Sequence, residues 1–229
     1  MISVRAIALA FSIICLATSA WANLQAGMDA YNSGDYATAL SEWRPLAEQG
    51  DALAQYNLGL MHTKGLGVQQ DYTTARQWYE QAAAQGFAPA QFNLGFMYSK
   101  GQGVQQDYTT ARQWYEQAAA QGDALAQSNL GLMHTKGLGV PQDYTTARQW
   151  YEQAAAQGEA VAQFNLGVVY HNGEGVPQDF VQAHKWYNLA GANGYKKAVD
   201  LRNVLSKVMT PAQIAEAQKL AREWKPIPK

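Results

Sequence analysis

Residues Asp51 to Gly86 read DALAQYNLGLMHTKGLGVQQDYTTARQWYEQAAAQG, and the rest of the 229-residue chain is measured against them. The stretch returns from Asp123 to Gly158 with two changes, Tyr56 becoming Ser128 and Gln69 becoming Pro141. Looser copies occupy Phe87 to Gly122 and Glu159 to Gly194, so that Gly86, Gly122, Gly158 and Gly194 recur every 36 residues. A fixed period of that length marks a stack of small units, none of which can bury its apolar face alone.

Each unit reads as two helices. Ala54, Leu58 and Met61 share one stripe at helical spacing and predict a first helix, helix A, from Asp51 to Lys64. Gly65-Leu66-Gly67 stops it, because glycine takes the positive φ that ends a helix. Val68 anchors the loop. Asp71 is placed to cap the free N–H groups of helix B, which carries Tyr72, Ala75, Tyr79 and Ala82 on its buried stripe, with Trp78 beside them, and runs to about Gln85. Pro141 and Pro177 fall in the A–B loop, where no helical hydrogen bond is lost. Gly59, Gly95, Gly131 and Gly167 fall inside helix A, where glycine costs about 1 kcal/mol against alanine. Their return in every copy predicts a neighbouring helix too close for a Cβ.

The pattern resembles the Sel1-like repeat, a relative of the tetratricopeptide repeat. The residues that carry it are the A-x-A-Q-x-N-L-G run of helix A, the paired glycines with valine (Gly65, Gly67, Val68), and D-Y-x-x-A-x-x-W-Y-x-x-A-A-x-x-G in helix B. The resemblance covers about Leu24 to Gly194. It implies an all-α fold, a right-handed α/α superhelical solenoid of antiparallel helix pairs.

Both ends depart from the repeat. Met1 to Ala22 reads as a cleavable export signal: Arg5, an apolar Ala6–Ala17 too short to span a bilayer, and Ala20-Trp21-Ala22 as the cleavage site. The mature chain would begin at Asn23, in the periplasm or outside the cell, with no transmembrane segment. The single cysteine, Cys15, would leave with the signal, so the repeats carry no disulfide, unlike the cysteine-rich secreted Sel1-like proteins. Residues 23–50 read as a shortened first hairpin turning at Gly34-Asp35-Tyr36, its second helix passing through Ala39 and Trp43 and kinked by Pro45 near Ser41 or Glu42. Residues 51–194 hold the four repeats. In 195–229, Ala198, Leu201, Val204, Leu205 and Val208 form one apolar stripe, and Thr210-Pro211-x-Gln213 opens a last helix to about Trp224; the pair reads as a cap over the final repeat. This end holds eight basic and three acidic residues, against eight and fifteen over 23–194. It reads as a solvated cap or as a surface for an anionic partner.

Little in the sequence suggests chemistry. The formal net charge of −1 argues against general nucleic-acid binding. No G-x-S-x-G or S-x-x-K motif is present, no unique acid–base constellation stands out among near-identical copies, and no cofactor is expected. His62 and His134 share a register with Tyr98 and Tyr170, which suits a packing position with a polar edge. His171 and Glu174 are neighbours without a third ligand, so no metal site is expected. His184 replaces Arg76, Arg112 and Arg148 and is expected on a solvated face. Trp78, Trp114, Trp150 and Trp186 could stack on a glycan, but one fixed place beside a core tyrosine fits packing better.

Helix B is identical from Asp71, Asp107 and Asp143 onward in the first three copies, so their differences fall in helix A and its loop. In tetratricopeptide-like arrays helix A lines the concave surface. The resemblance, aligned on the L-G pair, places Tyr56, Leu60 and Lys64 there in the first copy. The later copies contribute Phe92, Phe96 and Lys100, then Ser128, Leu132 and Lys136, then Phe164, Val168 and His171. The same resemblance also places Leu53 and Thr63 there, with Pro89 and Ser99 and then Leu125 and Thr135 at the matching positions, and Val161 and Asn172 in the last copy. Two readings stand side by side: an apolar groove edged by lysines that takes a peptide, or aromatics packed between repeats with lysines merely capping helix A. The leading expectation is an exported, non-catalytic scaffold for a protein or peptide of the cell envelope. The alternatives are a protein that binds or weakly hydrolyses β-lactam or peptidoglycan fragments, and a secreted factor that meets a host. The oligomeric state is open.

Overall fold

The computed structural model describes residues 21–227; residues 1–20 of the expected export signal lie outside them. All regular structure among the described residues is helical, in twelve helices. They are α1 (21–33), α2 (Tyr36–Glu48), α3 (Ala52–Lys64), α4 (Tyr72–Ala84), α5 (Ala88–Lys100), α6 (Tyr108–Ala120), α7 (Ala124–Lys136), α8 (Tyr144–Ala156), α9 (Ala160–Asn172), α10 (Phe180–Ala192), α11 (Lys196–Leu205) and α12 (Pro211–Glu223). Two compact units are distinguished, one ending at Gln106 and one beginning at Asp107. Within each, consecutive helices pack as pairs, which is the α/α solenoid class that the repeat implies.

Local chemistry sets the helix ends. Asp71, Asp107 and Asp143 each accept two backbone N–H groups at the start of helix B, and the hydroxyls of Thr74, Thr110 and Thr146 donate to the same carboxylates at 2.6 Å. These bonds, the hydroxyl first, hold all three carboxyls below the usual carboxylate range. Helix A closes on a left-handed glycine at 65, 101, 137 and 173. The capping box expected at Thr210 and Gln213 is present. The helix α2 runs unbroken through Pro45, so the expected kink does not interrupt it. Pro45 lies in the last turn, and the Ser41 carbonyl it leaves unpaired belongs to an exposed residue that water can reach.

The core is made of alanines and one large ring per pair. Ala39, Trp43, Ala54, Leu58 and Met61 are buried in the first unit; Tyr151, Ala154, Ala162, Leu166 and Val169 in the second. The glycine inside helix A faces this ring: a Cβ on Gly59 would stand 2.5 Å from Tyr79, and one on Gly131 or Gly167 would stand 2.6 Å from Tyr151 or Tyr187. The close neighbour expected from the sequence is therefore the core tyrosine of the same pair. In the first hairpin Trp43 takes that tyrosine's register, and Gly27 makes room for it. The tyrosine hydroxyl meets Thr63 at 3.2 Å or Thr135 at 3.1 Å, and burial pushes Tyr151 up to about 12.

Two contacts repeat at the seam between pairs. The glutamine of each A-x-A-Q run is buried and donates to a carbonyl of the preceding helix B: Gln55 to Ala47 at 3.0 Å, Gln91 to Ala83, Gln127 to Ala119 and Gln163 to Ala155. The second loop glycine lies on the first residue of the preceding helix B, Gly67 on Tyr36, Gly103 on Tyr72, Gly139 on Tyr108 and Gly175 on Tyr144, with no room for a Cβ.

The end of the second unit corrects one expectation. His184 is 3 % exposed, not solvated, and its Nε2 stands 3.1 Å from the Ser206 hydroxyl. In the repeats before it, Arg76, Arg112 and Arg148 pair with Glu80, Glu116 and Glu152 one turn on. Here Asn188 replaces the glutamate, accepts instead from Arg202 at 2.8 Å, and the segment that follows α11 closes over the imidazole. Desolvation lowers its pKa, and Arg202 lowers it further.

Candidate partner-binding face

Helix A presents its variable residues on one face, and the structure sorts them. In the first unit Phe96 is 39 % exposed, and Lys100 lies over its ring, Nζ 5.7 Å from the centroid. Tyr56, Leu60 and Phe92 are half-buried, Tyr56 against Phe87 at 5.2 Å and Tyr79 at 5.9 Å. Lys64 is exposed and donates to the Tyr31 hydroxyl at 3.3 Å. In the second unit Leu132, Val168 and His171 are half-buried and Lys136 is exposed. Ser128 and Phe164 are buried, so they lie beneath the surface that they were expected to form. Phe164 packs on Tyr195 at 4.7 Å and Tyr187 at 5.9 Å, which turns its ring into the floor of the face. Some of the variable positions therefore pack inside the fold, and others stand at its surface.

The exposed apolar side chains make the face distinct. Apart from Trp21 and Ile227, the large exposed hydrophobics among the described residues are Phe96, Leu125 (49 %), Val161 (40 %), Val204 (56 %) and Val208 (70 %). Leu125 and Val161 share one register of helix A; Phe96, in its own unit, holds the register of Val168. The exposed positions of helix B are instead mostly threonine, glutamine and alanine, with no large hydrophobic among them.

Val204 and Val208, expected on the cap's apolar stripe, are instead largely exposed. The signal that finds them is the 36-residue period carried past Gly194. It sets Ala198 on Ala162, Val204 on Val168 and Leu205 on Val169. Burial follows that register: Ala198 and Ala162 are fully enclosed, as are Leu205 and Val169, while Val168 is half-buried and Val204 exposed. The junction agrees, since Tyr195 N–H donates to Ala190 O at 2.9 Å as Glu159 N–H does to Ala154 O at 3.2 Å. The helix α11 is a helix A in all but sequence.

Polar candidates are absorbed by structure. His171 Nδ1 meets the Tyr187 hydroxyl at 3.3 Å, and Glu174 accepts from Asn172 at 3.0 Å, so the two do not converge. His62 and His134 are half-buried, lowered by desolvation, and face the N-cap carboxylates of Asp71 and Asp143. An open cleft of about 370 Å³ lies beside His62, lined by Val68, Gln69, Gln70 and Asp71. Trp78, Trp114 and Trp150 are half-buried, and Trp186 is buried edge-to-face on Trp224 at 6.3 Å. No group of three or more His, Cys, Asp or Glu among the described residues is placed to hold a metal, and no described helix is long and apolar enough to cross a membrane.

Comparison with known proteins follows the same lines. The Sel1 repeat family matches four successive segments, residues 52–87, 88–123, 124–159 and 160–195. A crystal structure of a Sel1 repeat protein from Oxalobacter formigenes is similar over 87 % of this chain and 83 % of its own, at 31 % identity and a TM-score of 0.77. A Sel1 repeat protein from Klebsiella pneumoniae, 24 % identical, shares the fold over 82 % of this chain and 93 % of its own, with a TM-score of 0.54. The immunity protein Pa5087 of Pseudomonas aeruginosa, 21 % identical, does so over 82 % and 72 %, with a TM-score of 0.53. No match to a curated protein was found. Periodicity, paired loop glycines, seam contacts and family match agree, and the chain belongs to the Sel1 repeat family.

Proposed function

We propose that this protein is an exported scaffold that binds a protein or peptide of the cell envelope through the faces that helix A forms within each unit. Sel1 repeats generally mediate protein interactions, and the fold is of that scaffold type. The observation that carries the reading is that, Trp21 and Ile227 apart, the large exposed hydrophobics among the described residues fall on helix A, α11 and the turn after it, while helix B exposes none. Exposed apolar groups gathered on one face mark interaction sites more often than scattered ones do. Export rests on the Arg5, Ala6–Ala17 and Ala20-Trp21-Ala22 pattern.

The test is crosslinking in envelope extract with the wild type and with a Phe96→Ser, Leu125→Ser, Val161→Ser variant of equal thermal stability. A protein captured by the first and lost by the second supports the reading. Capture that ignores the variant overturns the face, and full-length protein confined to the cytoplasmic fraction overturns export.

A further inference from the structure

The last helix pair extends the face and changes its charge. On α11 and the turn after it, the exposed groups are Lys196, Lys197, Asp200, Asn203, Val204, Lys207 and Val208. Three lysines and one aspartate share this stretch with two aliphatic side chains that nothing among the described residues covers. Among the described residues no ion pair engages these lysines, whereas Arg76, Arg112 and Arg148 are each tied to a glutamate. Lys197 lies over the Phe164 ring, Nζ 5.5 Å from its centroid, so one positive charge is held at the boundary between α9 and α11. The array before this end is acidic overall, so the positive charge is local.

We propose that this end of the face, centred on Val204 and Val208 and edged by Lys197 and Lys207, receives a partner segment that combines aliphatic with acidic side chains. The inference rests on the scaffold reading and names its partner's chemistry. The aliphatic residues of such a segment cover the two valines, and its carboxylates meet lysine ammoniums that no carboxylate among the described residues pairs. Val161, one pair earlier in the same register as Lys197, continues the apolar track along the segment. Charge then sets the direction of binding and raises the rate of encounter, and aliphatic burial supplies adhesion.

Random peptides displayed on phage, selected against the purified protein, are the probe. Enriched peptides should pair Asp or Glu with Leu, Ile or Val. Synthesised, they should bind at least about tenfold more weakly to a Lys197→Glu, Lys207→Glu variant, and at least about tenfold more weakly to Val204→Ser, Val208→Ser. Their affinity should fall as salt is raised. All four positions are exposed, and circular dichroism confirms that the variants fold. Enriched peptides without acidic residues overturn the proposal, as does a failure to enrich any. So does protein that sediments with vesicles containing phosphatidylglycerol while ignoring peptides, which would make this end a membrane contact. Acidic peptides lost on Leu125→Ser, Val161→Ser but unaffected by the α11 variants would sink this proposal and leave the scaffold reading standing. Peptides indifferent to both sets would sink both.

Discussion

The ring of Tyr151 fills the space that a side chain on Gly131 would need, with two ring carbons 2.6 Å from where the Cβ would stand. Alanine would favour the helix by about 1 kcal/mol. Overpacking a filled core costs about 1–3 kcal/mol, and Tyr151 is held by its hydroxyl contact with Thr135. Gly131→Ala is expected to lower the urea midpoint. An unchanged or higher midpoint would mean that the ring moves aside without loss.

Two glycines of similar backbone separate conformational strain from contact. Gly122 has φ +88° and open space around it, whereas Gly139 has φ +65° with its absent Cβ 2.7 Å from the carbonyl carbon of Tyr108. Gly122→Ala carries only the left-handed penalty of about 1–2 kcal/mol. Gly139→Ala adds a collision with backbone, which has no rotamer to escape into, and should be the more damaging by about 1 kcal/mol or more. Equal melting temperatures for the two variants would remove the seam role of the second loop glycine.

Gln163 is fully buried, donates to Ala155 O at 3.3 Å and accepts from Asn193 at 2.9 Å. Gln163→Leu preserves bulk but removes both bonds, leaving Ala155 O to Gly158 N–H and Asn193 to Gly158 O, and should cost about 1 kcal/mol in equilibrium unfolding. A leucine variant as stable as wild type would show that these bonds only replace hydration.

Acid should act in two steps of the same sign. Burial lowers the folded values of His62, His134 and His184 below the ordinary histidine value of about 6.5, so the unfolded chain binds more protons there. Their contribution is complete above that pH and is lost as pH falls through it toward the folded values. The N-cap carboxylates of Asp71, Asp107 and Asp143 have folded values below the ordinary 3.8, so their contribution is present above it and lost as pH drops further. The melting temperature should decline first below about pH 6.5 and again below about pH 4. His184→Gln should make the first decline shallower; an unchanged slope would show that this imidazole is protonated at no cost.

The repeat made the fold readable because local signals agreed: stripe, cap and stop glycine each mark the same boundaries, from Asp71 to Gly65. The tyrosine facing Gly59 and the seam bond of Gln55 were not readable, since both depend on which helix lies across the gap. His184 was misplaced because its register was compared with copies that have a glutamate one turn on. The helix α11 was legible as a helix but not as a continuation of the face. Its sequence keeps the period's burial pattern and little of its residues.

The seam has a consequence for how the chain finds its own order. The donor is always the same glutamine, and the second loop glycine always rests on the same tyrosine. The segments at 51–86 and 123–158 differ at only two positions, so each offers the other's docking partner a near-perfect counterfeit. Nothing in these contacts records a copy's place in the line. A helix pair can seat on the wrong predecessor and leave 36 residues, or a multiple of them, looped out. The unlike ends, Trp43 with Gly27 at one and His184 beneath Ser206 at the other, are the places where position is written, and they keep the count.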